Sequence, residues 1–270
     1  MGYREKRYIL CPVVHMRFTA LLWHILWFAR VALLPVLLAV VLRRKFYQRF
    51  PVFSAYTGWS AFAGIAFVVM NYSPAFSGKQ YFEGMVIDSV VATGIGIGVI
   101  YEVLRAHLRS HAALDAAGKT AFRWVSVLLL ALGILLAWLL PSRAPYMPMS
   151  MYQVLQRTME TVQAGLLLFL FSYCAYLRVP WRSQEFGIAL GLGILVSAGV
   201  AGLAIRSQID TGVLNVSTDI QTIFTEGAYL GSVCVWLIYI LAAEETKEPI
   251  PRSLPKHDLE SWNQELGRFL

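Results

Sequence analysis

Five amide or charged side chains interrupt a largely apolar part of the sequence, residues 151–177: Gln153, Gln156, Arg157, Glu160 and Gln163. Gln153, Arg157 and Glu160 are separated by four and three residues, so they share one face if this segment is an α-helix. Gln156, Glu160 and Gln163 have the same spacing. Polar side chains inside an apolar helix usually face the interior of a helix bundle and often mark a functional site.

Arg157 and Glu160 carry opposite charges one helical turn apart, and we expect them to pair along the helix. Such a pair can serve two purposes. It can neutralise two charges and join neighbouring helices, or it can form part of a site for a ligand or an ion. The sequence leaves both interpretations open.

Other apolar segments carry polar side chains at a comparable depth. His24 and Arg30 lie in the first segment, and Asp88 lies near the start of the third. The first half of the last segment contains Asp219, Gln221, Thr222, Thr225 and Glu226. If these faces converge, they form a polar pocket in the outer half of the bundle, open to the outside. The predicted pocket residues are Arg157, Glu160, Glu226, His24, Gln156 and Asp88.

A pocket at one end of a bundle suits a small-molecule ligand better than a channel, because a channel needs a polar path through the whole membrane. The sequence contains no GxSxG, HExxH or Walker motif, so an enzyme is not favoured and no catalytic residue is predicted. His107 and His111 have the spacing of a two-ligand metal face. Their basic surroundings disfavour a cation, so we expect them to be solvated or lipid-facing, and we predict no metal and no cofactor.

Composition indicates that the elements carrying these residues lie in a membrane. Hydrophobic residues make up 57% of the 270 residues and charged residues only 14%, whereas about a quarter of the residues of a soluble protein are charged. The net charge is +7, and the basic residues cluster between apolar segments, where they contact anionic lipid. The predicted partner is therefore the lipid bilayer, and no nucleic acid binding is expected.

The apolar segments predict an all-α membrane protein, a bundle of seven transmembrane helices. The predicted spans cover residues 18–42, 52–70, 85–108, 122–140, 151–177, 186–205 and 216–243. Pro74, Pro141 and Pro180 mark breaks between spans, whereas Pro35 is expected to kink the first helix without ending it. Small residues in segments 93–98 and 187–202 predict close helix packing.

Loop charges predict the orientation. The odd-numbered loops hold ten basic residues: Arg43, Arg44, Lys45, Arg49, Arg105, Arg109, Lys119, Arg123, Arg178 and Arg182. The even-numbered loops hold three, Lys79, Arg143 and Arg206. By the positive-inside rule the N-terminus lies outside and residues 244–270 form a short polar cytoplasmic tail. The N-terminal tail, with Arg4, Lys6, Arg7 and Arg17, disagrees with this orientation.

Five segments in this order resemble a family of uncharacterised seven-helix integral membrane proteins common in Acidobacteria: Phe50-Pro-Val-Phe-Ser-Ala-Tyr56, Tyr101-Glu-Val-Leu-Arg105, Phe122-Arg-Trp124, Gly165-Leu-Leu-Leu-Phe-Leu-Phe171 and Trp181-Arg-Ser-Gln-Glu-Phe-Gly-Ile-Ala-Leu-Gly191. The resemblance covers nearly the whole chain and implies a bacterial inner membrane, without implying an activity. A looser similarity is to the seven-helix sensor regions of bacterial signalling proteins. The short tail cannot contain their output domain, so a sensor of this kind would signal through a protein partner.

The sequence therefore favours a non-enzymatic membrane protein, sensor-like or an accessory subunit, with a small-molecule ligand in the polar pocket. A protein partner is expected at the cytoplasmic loops and tail. Two alternatives stay open: a component of a small transporter, and a structural subunit of a larger membrane complex.

Overall fold

The computed structural model describes residues 7–108, 112–139, 147–177, 183–208 and 214–242. Within these ranges the chain forms seven α-helices and no strands. In chain order they are α1 (Arg7–Arg43), α2 (Pro51–Tyr72), α3 (Gly78–Leu108), α4 (Ala112–Leu139), α5 (Met147–Leu177), α6 (Ser183–Gln208) and α7 (Leu214–Ala242), with a short 3-10 helix at Phe46–Gln48. The predicted all-α class is confirmed, and the predicted tail at 244–270 lies outside the described residues.

Each of these helices contains a segment that is long and apolar enough to cross a membrane. The segments contain 19 to 31 residues. At 1.5 Å per residue the shortest is about 28 Å long, close to the ~30 Å thickness of the hydrocarbon core. The chain is therefore a multi-pass membrane protein.

The seven predicted spans match the seven helices one to one, but three helices begin earlier than predicted. Helix α1 begins at Arg7 and not near residue 18, α3 at Gly78 and not near 85, and α4 at Ala112 and not near 122. The prediction followed apolar composition, which stops where the chain leaves the hydrocarbon. Backbone hydrogen bonding continues beyond that point, because a helix is equally able to form in polar surroundings.

Proline lies at several helix boundaries. Pro51 is the first residue of α2, and that helix ends just before Ser73, which is extended and precedes Pro74. Pro148 lies in the first turn of α5, where its missing N–H has no helical acceptor to lose. Pro35 lies inside α1, which continues to its predicted end.

Six helices form a closed ring in which each packs against the next, in the order α1, α2, α3, α5, α6 and α7. Helix α3 also contacts α6 across the ring. Among the described residues, helix α4 packs only against α3 and α5, so most of its apolar side chains point away from the bundle, as Trp124 (70% exposed) and Leu128 (66%) show. In a bilayer these side chains face lipid.

The ends of α1, α3 and α7 meet the beginnings of α2 and α6 at one end of the bundle. Arg44 donates to the carbonyl oxygens of Ile240 and Leu241 at 2.9 and 3.1 Å, which satisfies the end of α7. Glu102 accepts hydrogen bonds from the first amides of α2. We call this the basic end, after Arg43, Arg44, Lys45, Arg49 and Arg105. The half of the bundle away from it is the distal half.

Close packing between α6 and α7 depends on glycine. A Cβ atom at Gly191 would overlap the indole of Trp236, and one at Gly187 would overlap the Tyr239 ring. The Trp236 indole donates to the carbonyl oxygen of Ile188 at 3.2 Å. The predicted small-residue packing is confirmed at these positions, since only glycine lets the two helices approach this closely.

Candidate functional site in the distal half

An ion pair joins α1 to α7 at membrane depth. Nη1 of Arg30 donates to both carboxylate oxygens of Glu226, at 3.1 and 3.2 Å. The two side chains are only 22% and 14% exposed. Arg30 lies 13 residues before the end of α1 at Arg43, about 20 Å along the helix axis. Each charge neutralises the other in a low-dielectric environment, where either alone would be costly.

Tyr229 completes this contact. The Arg30 guanidinium carbon lies 3.9 Å from the centre of the Tyr229 ring, a cation–π arrangement. Tyr229 is 8% exposed. Its hydroxyl and Nε of Arg30 are both buried, and neither has a hydrogen-bond partner in the described part of the chain. Most buried polar atoms are hydrogen-bonded to protein or ordered water, so these two atoms are exceptions within the described residues.

Asp88 adds a second carboxylate to the interior. The indole Nε1 of Trp59 on α2 donates to Oδ1 of Asp88 on α3 at 2.9 Å, and Asp88 is half-buried. This bond joins neighbouring helices of the ring and leaves Oδ2 of the carboxylate for other contacts.

The polar face predicted on α5 lies between α3 and α6. Gln156 donates to Oε1 of Glu160 at 2.9 Å, and the Glu160 carboxylate lies against Gly199 of α6. One turn further on, Gln163 donates to the carbonyl oxygen of Thr93 on α3 at 3.2 Å. The predicted shared face of Gln156, Glu160 and Gln163 is therefore directed into the ring.

Buried aromatic rings pack across the bundle nearer the basic end. Trp236 contacts Phe53 and Tyr56 edge-on, with ring centres 5.4 and 6.0 Å apart. Trp236 lies six residues before the end of α7 at Ala242 and Glu226 lies sixteen, so the two are about 15 Å apart along the axis. We call Phe53, Tyr56 and Trp236 the aromatic layer. On α2 and α7 it lies between the Arg30–Glu226 pair and the basic end.

A second polar cluster lies at the basic end. Nδ1 of His107 lies 3.1 Å from Oε2 of Glu185, and both side chains are almost fully buried. Arg49 approaches Oε1 of Glu185 at 3.9 Å and donates to Gln184 at 2.6 Å. The expectation that His107 is solvated or lipid-facing is therefore wrong, because Glu185 in the first turn of α6 supplies a buried partner. His111 lies outside the described residues.

The structure brings together only part of the predicted pocket. Glu226 and Asp88 face the interior, and Gln156 and Glu160 hydrogen-bond to each other. In the described part of the chain no ion pair joins Arg157 to Glu160, contrary to expectation, because Gln156 contacts this carboxylate instead. His24 is exposed and packs against Trp23, with ring centres 4.6 Å apart. The side chains of Gln153 and Asp219 lie outside the described residues.

Two residues of the site are not among the predicted pocket residues. Arg30 is an ionisable residue in an apolar segment, and Tyr229 belongs to the last apolar segment. Their contacts join residues about 200 positions apart, so no local spacing reveals them. The available signal was charge balance, since a carboxylate such as Glu226 at membrane depth requires a cation.

Among the described residues, no three His, Cys, Asp or Glu side chains come close enough to bind a metal ion together. The chain matches no protein family model, no curated protein and no solved structure. A seven-helix fold alone does not identify a function. The function must therefore be inferred from the polar contacts of the distal half.

Proposed function

We propose that this multi-pass membrane protein is a non-enzymatic, sensor-like protein or accessory subunit that binds a small molecule in its distal half. The observation that carries the proposal is the Arg30–Glu226 pair at membrane depth, with the Tyr229 hydroxyl and Arg30 Nε buried beside it. Charged and polar groups at this depth are costly, and they are typically retained where they have a function. The aromatic layer favours a binding site over a transport path, because buried rings of α2 and α7 lie between the Arg30–Glu226 pair and the basic end.

We also propose that the basic end faces the cytoplasm of a bacterial inner membrane, with the N-terminus outside and the tail inside. The clustering of Arg43, Lys45 and Arg49 at this end supports the orientation. Single cysteines test it in a background without the native cysteines. A membrane-impermeant maleimide added to intact cells should label Ser77→Cys and leave Tyr47→Cys unlabelled. The reverse labelling pattern would show that the bundle has the opposite orientation in the membrane.

The resemblance to the Acidobacterial seven-helix family supports the bacterial membrane, and the looser similarity to sensor regions supports ligand binding. We propose that the cytoplasmic loops and the tail bind a protein partner that transmits the signal. Exposed Arg49 and Tyr47 lie in the first of these loops.

Native mass spectrometry of the protein, gently extracted from its own membrane, tests the proposal. Tyr229→Phe removes only the hydroxyl that has no partner, so folding should be preserved while a bound small molecule is lost. Tyr239→Phe, on the same helix near the basic end, is the matched control and should retain it. If wild type carries a protein partner and no small molecule, a structural subunit is favoured. A wild-type chain with neither would contradict the proposal.

A further inference from the structure

No described basic side chain forms an ion pair with Glu160. It lies inside the apolar span Val154–Tyr176 of α5. Its Oε1 accepts a hydrogen bond from Gln156, whereas Oε2 is buried and has no hydrogen-bond partner in the described residues. Glu226 differs in this respect, because Arg30 neutralises it.

The helices packed against α5 do not supply the missing charge. No ion pair joins Glu160 to any described basic group of α3, α4 or α6, and Arg157 of its own helix forms none with it either. The described titratable or charged groups on these three helices are Lys79, Tyr81, Glu83, Asp88, Tyr101, Glu102, Arg105, His107, Lys119, Arg123 and Glu185. The side chains of Asp115 and Arg206 lie outside the described residues. An ionised carboxylate alone at membrane depth is strongly disfavoured, so Glu160 must bind a cation or a proton.

The Glu160 carboxylate lies directly against α6. A Cβ atom at Gly199 would lie 3.1 Å from the carboxylate carbon of Glu160 and 3.2 and 3.3 Å from its oxygens. Because Gly199 has no side chain, the Glu160 carboxylate can lie close to the backbone of α6. Gln156 uses its NH₂ group as the donor to Glu160, so its amide oxygen is left as an acceptor. Oxygen ligands of this kind suit a hard cation or a proton.

We propose that Glu160 binds one small monovalent cation, a proton or a sodium ion, at the crossing of α5 and α6 beside Gly199. This inference rests on the proposed function in treating the α5 face as part of the ligand-binding interior. It adds the chemical class of the ligand bound at this position. Binding neutralises the carboxylate, so occupancy of the site is coupled to the packing of α5 against α6.

A membrane-soluble carbodiimide tests the inference on the full-length protein in its own membranes. The reagent modifies carboxylic acids in their protonated form. The acid adds across the carbodiimide to give an O-acylisourea, which rearranges to a stable N-acylurea without a leaving group. Peptide mass spectrometry should locate the adduct on Glu160, in an amount that falls as pH rises. Glu226, ion-paired with Arg30, should remain unmodified and is the internal control.

Three variants distinguish loss of the binding site from loss of the fold. Gly199→Ala should reduce labelling of Glu160 several-fold, because the added methyl group displaces the carboxylate. Gly231→Ala is the matched control, because nothing lies within 4 Å of its Cβ position, and labelling should be unchanged. Glu160→Gln should abolish the adduct while the protein stays folded, since a neutral amide has the same shape as the neutralised acid.

Salt identifies the cation. If sodium chloride suppresses labelling and potassium chloride at the same concentration does not, the ligand is sodium. If neither salt suppresses labelling, the ligand is a proton. If Glu160 stays unlabelled at every pH and the thermal stability of wild type does not respond to sodium, the inference is wrong. That outcome would leave retention of a small molecule at Tyr229 unaffected, so the two proposals can fail separately.

Discussion

Replacing Glu226 by glutamine would leave the Arg30 guanidinium charged at membrane depth. Arginine does not lose its proton in proteins, and an unpaired arginine near the centre of a membrane helix costs about 2.5–3.5 kcal/mol on insertion scales. The Arg30 side chain is 22% exposed, so we expect the free energy of unfolding to fall by about 3 kcal/mol at most. Its contact with Tyr229 is retained and offsets part of this cost.

Replacing Arg30 by glutamine should cost less, because a lone carboxylate at membrane depth is less costly than a lone guanidinium. Polar contacts between membrane helices contribute up to about 1.7 kcal/mol, and we expect a loss of this order. In the double variant both charges are removed, so its cost should be about 2 kcal/mol, well below the sum of the single costs.

The assay is reversible unfolding by sodium dodecyl sulfate in mixed micelles, followed by circular dichroism. A double-mutant cycle on Arg30 and Glu226 should give a coupling of about 2–3 kcal/mol. Additive single costs, or equal costs for the two single variants, would show that Arg30 and Glu226 are not coupled in this way. Arg49→Gln is the control, because Arg49 is 42% exposed at the basic end and should respond far less.

Two further predictions concern packing and helix ends. Gly191→Ala should lower the free energy of unfolding by about 1–3 kcal/mol, because the new methyl group overlaps the Trp236 indole. The control, Gly231→Ala, should be neutral or stabilising. Equal effects of the two changes in the same unfolding assay would contradict the contact between Gly191 and Trp236. Glu102→Gln should destabilise the protein by about 1 kcal/mol, because it weakens the hydrogen bonds to the first amides of α2; slower hydrogen exchange or no change at those amides would count against this role.

The sequence was sufficient for the number and type of the helices. A continuous apolar segment of about 20 residues crosses a bilayer as an α-helix, because its backbone polar groups must be hydrogen-bonded within the segment. Seven such segments therefore predict seven helices. Helix ends were less predictable, as in α3, because the residues around Lys79 continue the helix although they are not apolar. The peripheral position of α4 could not be read from its composition, which resembles that of the ring helices.

The candidate site was predictable where its contacts are local. The spacing of Gln156 and Glu160 placed them on one face, and they form a hydrogen bond. The partner of Glu226 was not predictable from spacing, because Arg30 lies 196 residues away. His107 was misassigned for the same reason, since its buried partner Glu185 belongs to another helix. Charge balance in an apolar interior identifies residues that need a partner but not which residue provides it.

The most direct test of the ligand-binding claim is a crystal structure grown in a lipidic mesophase from protein extracted gently from its own membrane. We expect non-protein electron density in the distal half, within hydrogen-bonding distance of the Tyr229 hydroxyl or Nε of Arg30. The Arg30–Glu226 pair should remain adjacent to that density. If protein side chains or ordered water alone satisfy both atoms, the polar interior serves assembly and the ligand-binding claim is contradicted.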